Sequence, residues 1–286
     1  MQIIEPSPRE RAAGRLAPLH LDAAKRALIE DGLVLLRQIA HHDELDRLGE
    51  RMAADTRQLL AFVERNGGNP RARGHLQQGP PPTRDFVLPS VAANPIVAQV
   101  TDAALGSRPK LTFYNGNTNC PGSSVQGLHM DTGHLFPDWD TPTPAWQIVV
   151  NVPPDDCTVQ NGAIELWPGT HRVVRHAKPV SPEAEARRRT ERPPERGVSE
   201  KGDVLLRDGR IWHRGVPNAT EKPRQMIALI HSAPWSASNR VAFQTGCDVV
   251  LEAGDFDANA TYTDQPIDYL FGPSRRLFEA RGIDPI

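Results

Sequence analysis

The apolar positions along the chain change period near residue 110. From residue 19 they recur at helical spacing: Leu21, Ala24, Leu28 and Ile29 share a face, Asp22 offers a cap, and Asp31-Gly32 closes the helix. Leu33-Val34-Leu35-Leu36 follows as a continuous apolar run and reads as a short buried strand. The spacing then predicts a second amphipathic helix over 41–63, carrying Leu45, Leu48, Met52, Leu59, Leu60 and Val63, with Asn66-Gly67-Gly68-Asn69-Pro70 to end it. A third short helix is expected over 96–105.

Past residue 110, period two takes over, beginning with Leu111-Thr112-Phe113-Tyr114. The clearest strand is Trp146-Gln147-Ile148-Val149-Val150-Asn151-Val152, with Gln147, Val149 and Asn151 on one face and the larger apolar residues on the other. Asn161-Gly162 is a hairpin-type turn feeding a strand over 163–167. Two apolar runs flank Arg207-Asp208-Gly209-Arg210, which reads as strand, turn, strand, and 226–230 is a further buried strand.

Two stretches have no such period. Residues 66–90 form a Gly/Pro-rich connection with His75, Gln77 and Gln78 as its polar content, a candidate substrate-side loop. Residues 181–201, dense in charge around Arg187-Arg188-Arg189, are expected to be a solvated insertion. The chain therefore reads as one domain over 1–286. Its parts are a mobile leader (1–18), helical support with the substrate-side loop (19–105), a β core (111–235) and a C-terminal extension (236–286). A last helical piece around 274–280 is expected to cover a sheet edge or to join a homodimer contact.

Composition narrows the function classes. With 38% hydrophobic residues there is enough for a core, and 27 prolines with 22 glycines favour a loop-rich β architecture. A net charge of -2 supplies no basic field for nucleic acid or an anionic membrane, and no apolar run approaches the ~18 residues of a spanning helix. The first residues lack a charged start and an apolar signal core, so a cytoplasmic location is expected. Cys120, Cys157 and Cys247 are scattered and odd in number, against both a disulfide framework and a Cys-x-x-Cys metal site.

The chemistry concentrates around His129-Met130-Asp131. In an extended segment His129 and Asp131 point the same way, while Leu128 and Met130 point into packing. That offers two members of a two-histidine, one-carboxylate set of the kind that holds non-haem Fe(II) with open positions. His213, at the end of a strand before Gly215-Val216-Pro217-Asn218, supplies a third. Arg224, eleven residues further, opens a buried strand and needs an anion, which a guanidinium binds bidentately.

Together with Asn161-Gly162-Ala163-Ile164-Glu165-Leu166-Trp167-Pro168-Gly169-Thr170-His171-Arg172, this order of motifs resembles the phytanoyl-CoA dioxygenase family of Fe(II)/2-oxoglutarate oxygenases over roughly residues 25–235. The resemblance implies a mainly β fold with flanking helices, a double-stranded β-helix (jelly-roll, cupin-like) barrel. It implies Fe(II) on His129, Asp131 and His213, and 2-oxoglutarate anchored by Arg224, with dioxygen as cosubstrate. Related halogenases lack the carboxylate, so Asp131 disfavours halogenation. Asn117 and Gln126 flank the same mouth and are placed on the cosubstrate side; His134, Gln147 and Trp212 are placed on the substrate side, with Tyr114 and Trp235 as possible walls. The expected substrate is a small polar metabolite such as an amino acid or amino sugar. Two alternatives stay open. A non-oxidative cupin-like isomerase or hydrolase would use the metal without needing Arg224, and a metal-free binding module would not need the triad.

Overall fold

The computed structural model of the chain describes residues 1–68, 73–174 and 180–285. In order, the elements are β1 (Gln2–Ile4), α1 (Pro8–Ala13), α2 (Pro18–Glu30), β2 (Leu33–Leu36), α3 (His42–Arg65), β3 (His75–Gln77), α4 (Pro89–Ala92) and α5 (Pro95–Leu105). They continue with β4 (Lys110–Asn119), β5 (Gln147–Val152), β6 (Glu165–Trp167), α6 (Pro182–Glu191), β7 (Glu195–Arg196), β8 (Val204–Asp208), β9 (Trp212–Arg214) and β10 (Arg224–Ser232). The C-terminal part holds β11 (Val241–Gln244), α7 (Asp248–Leu251), β12 (Ala260–Thr263) and α8 (Gly272–Glu279).

A seven-stranded sheet in the order β1-β2-β8-β5-β10-β4-β3 is the frame. Its central strands are apolar on both faces because both faces are covered. On the outer face Val34, Leu36, Ile148, Val150, Val204, Leu206, Ile227 and Leu229 join one core with residues of α2, α3 and α5. On the inner face Leu33, Leu35 and Leu205 pack against Leu166 and Ile211, which brings the three-stranded sheet β7-β6-β9 across it. Among the described residues the two sheets remain separate and no strand closes them into a barrel.

Several expectations are corrected. The N-terminal arm is not a loose leader: β1 pairs in parallel with β2, and Ser7 and Glu10 form a reciprocal capping box at the start of α1. The connection 66–90 contains β3, which pairs with β4 at the sheet edge; Asn69 and Pro70 lie outside the described residues. The charged insertion 181–201 is solvated along much of its length, as expected, but it is built as helix α6 followed by β7 and docked by its arginines. Arg192 pairs with Asp31 at 2.6 Å, and Arg188 Nη2 donates to the carbonyl of Pro168 at 2.6 Å. The strand, turn, strand expected around Arg207-Asp208-Gly209-Arg210 is present, and its strands do not pair: β8 belongs to the large sheet and β9 to the small one, so the chain crosses between layers there. At the far end, Leu270 and Phe278 pack with Leu59, Phe62, Val63 and Leu76, so α8 covers the β3 edge.

Candidate active site

The centre of the site is one backbone pair. His129 N–H donates to the His213 carbonyl at 3.1 Å and His213 N–H to the His129 carbonyl at 2.9 Å, an antiparallel bridge that sets the residues opposite one another. Directly opposed residues project to the same face, and the imidazole centroids lie 4.4 Å apart. Each ring is oriented by its Nδ1, which donates to a carbonyl two residues back: Gly127 for His129 at 2.8 Å and Ile211 for His213 at 2.9 Å. In the neutral form of each ring this leaves Nε2 as the acceptor facing the cavity, the tautomer a metal ligand needs. Leu128 and Met130 point away and pack with Trp167 and Trp212.

Asp131 completes the set, and the three ligand atoms lie within 4.8 Å of one another. Asp131 Oδ1 is 3.4 Å from His213 Nε2, and Oδ2 accepts from Arg207 Nη2 at 2.6 Å. Burial alone would raise the Asp131 pKa, but the Arg207 guanidinium, with His213 beside it, outweighs burial and holds the carboxyl well below its usual range. Burial, with the neighbouring His213, pushes the His129 pKa down to about 4, so this ring is neutral at physiological pH. Two imidazoles and one carboxylate on one face match the donor set of non-haem iron.

This group opens on a cavity of about 350 Å³ between the two sheets. The inner face of the large sheet lines it in ranks set by strand register. His75, Asn119 and Arg224 stand side by side across β3, β4 and β10; Gln77, Asn117 and Met226 form the next rank. Phe113, Ile230, Val149 and Arg207 form a farther one. Arg224 is buried, 7% exposed. Its Nη2 donates to the Gly162 carbonyl at 2.9 Å, and among the described residues its Nε has no hydrogen-bond partner. Burial lowers the His75 pKa and the Arg224 charge lowers it further, while Nε2 lies 2.7 Å from the Ser124 carbonyl.

The sequence profile of phytanoyl-CoA dioxygenase (PhyH) matches residues 28–226, a span that includes His129, Asp131, His213 and Arg224. The chain belongs to the phytanoyl-CoA dioxygenase family. Among curated proteins it is similar to dioxygenase af480 of Aspergillus fumigatus, 26% identical over 251 residues that cover 77% of this chain and 71% of af480. Among solved structures it is similar to EctD from S. alaskensis with 2-oxoglutarate and 5-hydroxyectoine (TM-score 0.55, 19% identity, 74% of this chain and 75% of that one). It is also similar to the epimerase SnoN in complex with Fe3+, alpha ketoglutarate and nogalamycin RO (TM-score 0.55, 18% identity, 76% and 84%). At these identities the structures establish a shared fold.

Not every residue expected at the site of this phytanoyl-CoA dioxygenase family member is there. His129, Asp131, His213, Arg224, Asn117 and Gln126 all line the cavity, and Gln126 Oε1 also accepts from the Gly215 N–H at 2.8 Å. Trp212 does not: it alternates with His213 and lies in the core at 1% exposure. His134 lies outside the lining, because the chain bends at Asp131 and Thr132 and the alternation ends; its Nε2 meets the Val173 carbonyl at 2.9 Å. Gln147 is on the correct face but beyond the lining, donating to Ser232 Oγ at 3.2 Å. Tyr114 is a core residue stacked edge-on against Phe243, and Trp235 is 64% exposed, away from the cavity. Asn151, on the same strand face as Gln147, does line the cavity, and so does Arg207, which the sequence leaves in a turn.

Proposed function

We propose that this chain is an iron- and 2-oxoglutarate-dependent oxygenase that oxidises a C–H bond of a small, uncharged polar metabolite. The observation that carries the reading is the pairing, in one cavity, of the His129–Asp131–His213 set with Arg224, a buried cation that no carboxylate answers among the described residues. In this reading His129, Asp131 and His213 hold the iron, and Arg224 receives the distal carboxylate of 2-oxoglutarate as a planar, bidentate partner. Asn117 and Gln77, one rank nearer the centre, offer amide donors and acceptors to the cosubstrate. When bound, iron with 2-oxoglutarate and dioxygen supplies the oxidising power, yielding succinate and carbon dioxide alongside the oxidised product. The chain's own part is geometry and dryness: apolar Phe113, Val149, Ala228 and Ile230 exclude water from the wall beyond the metal set. The jelly-roll barrel of the family is the architecture inferred for the two sheets.

The charge inventory bears on the substrate. Among the described residues Asp131 is the single carboxylate in the cavity lining and is already held by Arg207, so an ammonium-bearing substrate finds no free counter-charge among them. This turns the reading away from amino sugars, although segments 74–81, 117–134 and 207–218 carry a likeness to kanamycin B dioxygenase. Hydroxylation is the reaction proposed. The same metal set also suits ring closure, desaturation or ketone formation, and the likeness to an epimerase adds a redox-neutral outcome on the same cofactors. A non-oxidative cupin-like enzyme is disfavoured, because it would leave Arg224 buried without a purpose.

The test is anaerobic addition of Fe(II) and 2-oxoglutarate, watched for the weak visible charge-transfer band of a chelated keto acid. The band is expected in the wild type, absent in His213→Ala, and shifted to much higher 2-oxoglutarate concentrations in Arg224→Ala. No band in metal-loaded wild type overturns the proposal.

A further inference from the structure

Arg207 belongs to none of the roles above, yet everything it reaches is part of the site. It stands on β8 opposite Val149 of β5, which puts Asn151, two residues along β5, on the same inner face. Its Nε donates to Asn151 Oδ1 at 3.1 Å, its Nη2 donates to Asp131 Oδ2 at 2.6 Å, and its Nη1 lies 3.5 Å from His213 Nδ1. The side chain is 5% exposed, against 35% for Asp131. One planar guanidinium thus bridges a strand amide and the candidate metal carboxylate, and its plane is fixed at both ends.

That bridge has a coordination consequence. An ionised carboxylate has two oxygens, and beside a divalent cation it can bind through one or chelate through both. Here Oδ2 is taken by a short charge-assisted hydrogen bond, and only Oδ1 is left beside His213 Nε2. A chelating carboxylate would occupy a position that a bidentate keto acid and dioxygen also need.

We propose that Arg207 is a positioning residue for the metal set: by holding Oδ2 of Asp131 it makes the carboxylate a one-oxygen ligand and keeps the remaining positions open for 2-oxoglutarate and dioxygen. The proposal rests on the reading of His129, Asp131 and His213 as the iron site. It also explains why the residue is an arginine. A lysine carries the charge but has no fork to reach Asp131 and Asn151 in one plane. Because the pair is complete without metal, the ligand is already held and aimed when the cation arrives, which is the usual work of a partner behind a metal ligand.

The experiment is anaerobic titration of the full chain with Co(II), read by its visible d–d absorption. Fe(II) and 2-oxoglutarate follow, read by the charge-transfer band. The proteins are wild type, Arg207→Lys, Arg207→Gln and Asn151→Ala, each checked for fold by circular dichroism. Arg207→Gln is expected to bind Co(II) about 10–100-fold more weakly, with an altered d–d spectrum and a weakened 2-oxoglutarate band. Arg207→Lys is expected to recover part of the affinity but not the wild-type spectrum. Asn151→Ala, which frees one end of the guanidinium and leaves the ion pair, is expected to move the spectrum the same way by less. A folded Arg207→Gln protein with wild-type Co(II) affinity and spectrum overturns the proposal. If that variant does not fold, an unchanged spectrum in Asn151→Ala overturns it instead. Absence of any Co(II) band in wild type would instead bring down the metal site, and this proposal with it.

Discussion

Two buried guanidiniums face the same cavity and are wired in opposite ways. Arg207 has an anion and an amide within the fold, Asp131 and Asn151. Among the described residues Arg224 has a single backbone carbonyl, that of Gly162, and an Nε with no hydrogen-bond partner. Taking a charge out of water costs several kcal/mol unless a counter-charge or a full set of hydrogen bonds answers it. The Arg207 end of the cavity meets that requirement by itself and behaves as architecture. Among the described residues the Arg224 end does not, and in the proposed reading its partner is the distal carboxylate of 2-oxoglutarate. The difference separates two kinds of functional arginine: one that shapes a ligand and one that waits for a substrate.

The largest expected effect comes from breaking the open end. Arg224→Ala should raise the Kd for 2-oxoglutarate by roughly 30- to 5,000-fold, the range that follows from ~2–5 kcal/mol for truncating one partner of a buried charge pair. Metal affinity should stay at the wild-type value, the reverse of the pattern expected for Arg207→Gln. Titration of both ligands against both variants decides it: if Arg224→Ala weakens Co(II) binding as much as 2-oxoglutarate binding, the two arginines are not doing different things. Arg224→Lys should fall between alanine and wild type, since it keeps the charge and loses the fork.

A smaller effect is expected at the rim between the two ends. A Cβ built on Gly215 would lie 2.6 Å from His75 Cε1 and 2.7 Å from Gln126 Oε1, both of which line the cavity. Gly215→Ala must therefore displace one of them. The KM for 2-oxoglutarate should rise about tenfold, equivalent to ~1.4 kcal/mol of overpacking strain, with kcat changed less. An unchanged KM would mean that His75 and Gln126 yield without touching the cosubstrate. Smaller still is His134→Ala. Its ring is tied to the Val173 carbonyl outside the lining, so stability should drop by about 1 kcal/mol and KM values should not move. A clear KM change for the organic substrate would return His134 to the site.

What the sequence made legible follows from the same contrast. The triad could be read because its signal is local: period two puts His129 and Asp131 on one face, and a strand-end His213 is needed only once. Arg224 could be read because a cation at the head of an apolar run lacks a local reason to be there. Arg207 could not. Its partner Asp131 is 76 residues away, and beside Asp208-Gly209 it reads as turn punctuation. Trp212 was misplaced against the alternation itself, since a residue next to an inward His213 must point outward. The three-residue strand β3 is too short to show a period, so His75 and Gln77 passed as loop residues. The N-terminal arm carried a readable Ser7-x-x-Glu10 capping signature, but its proline and arginine content outweighed it.

That arm provides the smallest test, a buried charge answered within the fold and remote from the cavity. Glu10 accepts hydrogen bonds from the N–H groups of Ser7 and Ala17 and from the Ser7 hydroxyl, and lies 2.8 Å from His20 Nδ1. Burial would raise its pKa; the Ala17 and Ser7 donors, with His20, outweigh burial and bring it down to about 2 from an ordinary 4.5. A carboxyl depressed on folding contributes stability that is fully present above the unfolded value and is lost as pH falls toward the folded one. The contribution should therefore be intact at pH 7 and fade between pH 4.5 and 2. Glu10→Gln should lower stability by about 1 kcal/mol at pH 7, and the gap in Tm between variant and wild type should narrow as the pH is taken from 5 to 3. A gap constant across that range would mean that the glutamine amide fails only as a cap. The charge on Glu10, unlike that on Arg207 or Arg224, would then have no bearing on how its neighbours are held.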